Sequence, residues 1–125
     1  MNLLLDTHVL IWVLENNPSL SAEAREAIID GHNLVFVSAV SIWEISIKRA
    51  LGKLVTPDNL LQEISAHRLE PLDISAQHAD LAGRLPMIHQ DPLDRMLIAQ
   101  AKVESLTLVS RDGEIALYDV SLMKA

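Results

Sequence analysis

Leu3-Leu4-Leu5-Asp6-Thr7-His8-Val9-Leu10-Ile11-Trp12 is the stretch on which the fold turns. Three consecutive leucines make a short run with no polar face, as expected of a strand covered on both sides. Asp6 ends the run, and residues 9–14 continue in helix-compatible spacing that Asp6 or Thr7 can cap. A buried strand passing through an acid straight into a helix opens a β-α unit. Working outward, residues 34–38 and 107–110 form two further apolar runs, and residues 120–123 a weaker one. Between them lie helical patterns. Ser19 or Ser21 caps one that ends near Gly31, and Ser41 followed by Glu44 matches a capping box for the next. Thr56-Pro57-Asp58 starts another, Ser75 a fourth, and Asp91-Pro92 a last one that runs to about Glu104. Residues 70–74 are extended, with Pro71 suited to a sheet edge. Strands alternating with helices predict a single α/β domain over residues 1–125, its sheet mostly parallel and covered on both faces.

Composition narrows the function. Half of the 125 residues are hydrophobic, enough for a substantial core. No run is long enough to cross a bilayer, and Asp6 together with the lack of a basic leader argues against a signal peptide. Cysteine is absent, which removes disulfides and thiolate metal sites and suits a reducing cytoplasm. The net charge of −7 argues against a surface that attracts nucleic acid everywhere, while leaving room for carboxylates that hold cations. Aromatics are too few for a platform of stacked bases.

The acids stand where the chemistry should be. Asp6 and Asp112 follow strands, Glu44 lies in a helix after the second strand, and Asp94 opens the apolar helix Arg95-Met96-Leu97-Ile98-Ala99. Each alone has a structural use: Asp6 and Asp91 as caps, Glu44 as half of its capping box, Asp112 as a turn residue before Gly113, Asp94 at a helix dipole. Together they can meet outside the carboxyl ends of a parallel sheet, where such folds bind ligands. Gathered carboxylates repel one another unless a hard divalent cation joins them. Other chemistries fit less well. A dehalogenase-type phosphatase needs an acid where His8 stands, and a phosphoreceiver needs an acidic pair near the first strand. No Gly-rich phosphate loop or Gly-x-Ser-x-Gly elbow is present. The five histidines form no His-x-x-x-His pair, although His8 and His89 are placed to flank the acids.

Four segments carry a resemblance: residues 3–12, Ser38-Ala39-Val40-Ser41-Ile42-Trp43-Glu44-Ile45, Asp91-Pro92-Leu93-Asp94-Arg95-Met96-Leu97-Ile98-Ala99-Gln100-Ala101, and Leu108-Val109-Ser110-Arg111-Asp112. In order and spacing they resemble PIN-domain ribonucleases of the VapC toxin type. Leu93 departs from the aromatic residue common at that place. The resemblance implies a three-layer α/β/α sandwich and an endoribonuclease dependent on Mg2+ or Mn2+, in which metal-activated water leaves a 5′-phosphate and a 3′-hydroxyl. It implies Asp6, Asp94 and Asp112 as metal ligands, Glu44 as the fourth catalytic acid and Asp91 as an auxiliary one. Thr7 and Ser110 would support the carboxylates by hydrogen bonds. Arg95 and Arg111 would contact RNA or a carboxylate, with Lys48, Arg49 and Lys53 as further cations for the RNA backbone. One ion or two, roughly 3.5–4 Å apart, would suit such a set. The implied partners are RNA, a second copy of the chain and a VapB-like antitoxin whose carboxyl-terminal segment covers the groove. Trp12 and Trp43 are expected in the core, with an interface as their other use. The competing reading is a catalytically idle PIN-like module that binds metal or a partner.

Overall fold

β1 (Asn2–Leu5) lies at the centre of the sheet because its three leucines have no face to give to water; each is fully buried. In the computed structural model, which describes residues 1–56 and 58–125, β1 pairs on one side with β2 (Leu34–Ser38) and on the other with β4 (Thr107–Ser110). β3 (Glu70–Leu72) and β5 (Leu122–Lys124) form the edges, in the order β3-β2-β1-β4-β5. Every pairing is parallel. Pro71 sits on an edge strand, where its missing N–H breaks no ladder.

Alternation along β1 divides the core into two layers. Leu3 and Leu5 pack with Val9, Leu10, Ala24, Val35, Val37 and Ile64, beneath α1 (Thr7–Glu15), α2 (Ala22–Ile29) and α4 (Leu60–Ala66). Leu4 points the other way, into Leu85, Leu97, Ile98 and Leu108, under α5 (Ala76–Arg84) and α6 (Pro92–Val103). α3 (Ala39–Ala50) serves both layers through Ile45 and Val40. The expected sandwich is therefore present.

Several helix starts follow their expected caps. Ser21 accepts from the N–H of Ala24, Ser75 from that of His78, and Asp91 from that of Leu93. Two starts differ. α3 begins at Ala39, capped by Ser38, whose hydroxyl accepts from Val40 N at 3.0 Å. Ser41 lies inside that helix and Glu44 at its middle, so the Ser41–Glu44 pair is not a capping box. α4 begins at Leu60, after Thr56 and Asp58; the Pro57 part of that expected start lies outside the described residues. A 3-10 turn at Ile115–Leu117, unannounced by any apolar period, follows β4.

The strand order explains where a ligand can bind. From β1 the chain steps outward to β2 and β3, then returns to lay β4 on the opposite side of β1. Such a reversal opens a crevice at the carboxyl ends of the two strands that flank it. Just past β1, the N–H of Asp6 still donates to Val109 O, and two residues past β4 lies Asp112.

Candidate active site

Asp6 is at once the last rung of the sheet and the first residue of a helix. Its backbone N–H completes the β1–β4 ladder, while its carboxylate accepts from Val9 N at 2.8 Å. Burial raises its pKa; a hydrogen bond from Ser110 and the one from Val9 oppose the rise. The same Ser110 hydroxyl accepts from the N–H of Asp112 at 3.1 Å. One buried serine thus sets the spacing between the acids of neighbouring strands. Thr7 lines the cleft too, but its hydroxyl donates to Ser41 Oγ at 3.0 Å rather than to a carboxylate.

Asp94 stands in the first turn of α6, one turn beyond the capping Asp91. Its pKa is pushed up to about 7, by burial first and then by the charge of Asp91, with Asp112 and Asp6 adding to the rise and His89 opposing it. Asp112 behaves oppositely. Burial works against its charge, but hydrogen bonds from His89 and the backbone of Glu114 hold its pKa below the usual value. Glu44 reaches the site from α3, where Lys48 one turn later pairs with it at 2.9 Å. All five carboxylates (Asp6, Glu44, Asp91, Asp94, Asp112) face one cleft of about 420 Å3, with His8, Trp12, Lys48 and Arg111 along its walls. Hard oxygen donors gathered at mutual electrostatic cost are what a divalent cation requires, so this donor set fits one.

His89 is the residue whose importance the sequence understates. Its Nε2 lies 2.9 Å from Asp94 Oδ2 and 3.0 Å from Asp112 Oδ2, between the two acids rather than beside them. Burial opposes its charge, yet the bond to Asp112 and the charges of Asp94 and Asp112 hold its pKa above the ordinary histidine value. The only hint in the sequence is its place two residues ahead of the Asp91-Pro92 helix start, which brings it beside the first turn.

The two arginines of the acidic motifs part company. Arg95 is buried and donates to the carbonyls of Ala82, Leu85, Pro86 and His89, with Tyr118 Oη at 3.4 Å. Among the described residues it pairs with no carboxylate, and only 7% of it is exposed. Its guanidinium instead closes the carboxyl end of α5, where unpaired carbonyls and the helix dipole favour a cation. Arg111 remains at the cleft. It stacks over the Trp12 ring at 4.5 Å and donates to backbone oxygens of Ser19 and Ala125. Trp12 is half-buried against the core, as expected, whereas Trp43 is 59% exposed because it lies on the outer face of α3.

Comparison with known proteins agrees with this architecture. The PIN domain family profile matches residues 3–121. No curated protein sequence matches significantly. Among solved structures, VapBC2 from Rickettsia felis bound to a promoter DNA fragment superposes with a TM-score of 0.74 at 19% identity, covering 99% of this chain and 98% of that one. DNA-bound VapBC from Salmonella typhimurium gives 0.72 at 20% identity, with the same coverage. VapBC-1 from nontypeable Haemophilus influenzae gives 0.66 at 21%, again with that coverage. At these identities the likeness speaks for the fold, and the profile for the family. With its all-parallel sheet, and with residues 3–121 under the profile, the chain belongs to the PIN domain family.

Proposed function

We propose that the chain is a VapC-like toxin, an endoribonuclease that uses Mg2+ or Mn2+ and is held in check by a cognate antitoxin. The observation that carries this reading is the convergence of five carboxylates on one cleft at the strand-order reversal, one of them with its pKa pushed up to about 7. The Thr7 hydroxyl that lines the cleft is engaged with Ser41, and the carboxylates are suited to hold a cation, so the chemistry falls to water. Asp6, Asp94 and Asp112 would hold the cation. When bound, it supplies charge for a phosphate oxygen and makes water a stronger nucleophile. Ser110 keeps Asp6 and Asp112 in register, and Glu44 adds negative charge opposite them. Lys48 and Arg111, on the cleft walls, offer positive charge to the flanking phosphates of an RNA strand.

The three structural relatives described above are VapBC toxin–antitoxin assemblies, which supports an antitoxin partner here. Trp43 and Ile47 on α3, with Leu51 at its carboxyl cap, leave a row of exposed apolar side chains suited to contact with a second protein chain or a second copy. Among the described residues no helix is long and apolar enough to cross a membrane. The test is cleavage of mixed cellular RNA by antitoxin-free protein, with Mg2+ or Mn2+, with EDTA, and with Asp94→Asn as the blank. Discrete metal-dependent products absent from the blank support the nuclease. Folded, metal-binding protein that cuts nothing would favour a PIN-like binding module.

A further inference from the structure

The proposed ligand set consists of carboxylates, yet among the described residues the one group of three metal-binding side chains with ligand atoms within 4.8 Å of one another is His89, Asp94 and Asp112. Its spacing fits an ion. Two ligands at right angles around a cation at about 2.1 Å lie roughly 3 Å apart. His89 Nε2 stands 2.9 Å from one carboxylate oxygen and 3.0 Å from the other. The far side of the ring is equipped as well. Nδ1 lies 3.4 Å from Glu114 Oε2, the carboxylate–histidine arrangement that fixes the ring of a metal-bound imidazole.

The backbone that carries the ring is also held in place before any ligand arrives. His89 is 9% exposed, its backbone N–H donates to Tyr118 Oη at 2.8 Å, and its carbonyl accepts from Arg95 at 3.3 Å. One anchor, Tyr118, follows the 3-10 turn beyond β4; the other, Arg95, is the neighbour of Asp94 on α6. Without a ligand on Nε2, the N–H of Asp91 faces Nδ1 at 3.2 Å. An ion at Nε2 places the ring proton on Nδ1, where Glu114 accepts it and the Asp91 N–H gives way.

We propose that His89 is a nitrogen ligand of the cation, joining Asp94 and Asp112 through Nε2 with Glu114 behind it, and that this nitrogen makes the site favour Mn2+ over Mg2+. Imidazole suits transition metals, whereas Mg2+ prefers oxygen throughout. The assignment rests on the metal-dependent reading above and specifies its donor set.

Pulsed EPR of the Mn2+-loaded protein tests it directly, since a coordinated imidazole gives a nitrogen modulation that carboxylates and water do not. The wild-type chain should show it. His89→Ala and His89→Gln, checked for folding by circular dichroism, should lose it, with Mn2+ bound about 10-fold more weakly or worse. Mg2+ binding, measured by competition, should stay nearly where it was. Glu114→Gln should keep the nitrogen signal and weaken Mn2+ to a smaller extent. A Mn2+ signal without nitrogen modulation, in protein that still cleaves RNA, overturns the ligand and leaves the nuclease standing. Unchanged Mn2+ affinity in both His89 variants overturns it also. Folded wild-type protein that binds no Mn2+ removes this assignment and the metal-dependent reading together.

Discussion

Asp94 shows how much a single carboxyl can carry. It folds with its pKa near 7 against an ordinary 3.8, while Asp6 and His89 are also raised. A raised pKa means that the folded chain holds protons that the unfolded chain has released. The associated stability is complete below the unfolded values and drains away as pH climbs through the folded ones. Asp112, lowered, has the opposite sign, but its contribution is lost only on acidification below the usual carboxylate range. Metal-free protein is therefore expected to melt at a lower temperature at about pH 8 than at about pH 5.5, with Mn2+ restoring more at the higher pH. Thermal melts in EDTA and in Mn2+ check this, and equal melting points across the range would contradict it. Asp6→Asn should separate stability from activity. Asparagine caps α1 about as well as aspartate, so unfolding in urea should shift by no more than about 1 kcal/mol. RNA cleavage should fall to background, and cleavage at the wild-type rate would take Asp6 out of the site.

The loop between α5 and α6 depends on side chains from elsewhere, and that is why the sequence hides it. Arg95 sits between Asp94 and an apolar run, so it reads as a charged residue of an acidic motif. Only the meeting of α6 with the end of α5 shows that its partners are backbone carbonyls. Arg95→Met should leave those buried acceptors without donors, at a cost of about 3 kcal/mol or more in a denaturant titration. Tyr118→Phe removes an oxygen that donates to Pro86 O and accepts from the N–H groups of Ile88 and His89. A loss of about 1–2 kcal/mol is expected, together with faster amide exchange at His89; unaltered exchange would deny Tyr118 its anchoring part. The start of α3 was misread for a different reason. Ser38 and Ser41 are three residues apart and both are good caps, so the later one, matched with Glu44, made the more familiar pattern. The acids at strand ends were legible because a polar residue that closes a run such as Leu3-Leu4-Leu5 has few other places to go. That His89 flanks the acids was legible too; that its ring lies between Asp94 and Asp112 was not, since the irregular loop that carries it has no period to read.

At the scale of the whole molecule, the apolar runs and their intervening helices announced the parallel sheet. The order β3-β2-β1-β4-β5 was not written in them, because nothing local says on which side of β1 a returning strand will land. The exposed row on α3 bears on assembly. Ile47→Ser with Leu51→Ser should reduce self-association in sedimentation experiments while changing stability by about 0.5 kcal/mol or less, as surface changes do. Unchanged sedimentation would move the contact elsewhere. The central position of β1 also matters for biosynthesis. Its three leucines are made well before β4, so one flank stays uncovered until residues 107–110 have been made. A chain translated short of residue 94 holds Asp6 and Glu44 but neither Asp94 nor Asp112. Such a chain lacks two of the three carboxylates proposed to hold the cation, and its bare leucine edge leaves it exposed to aggregation until the late strand arrives.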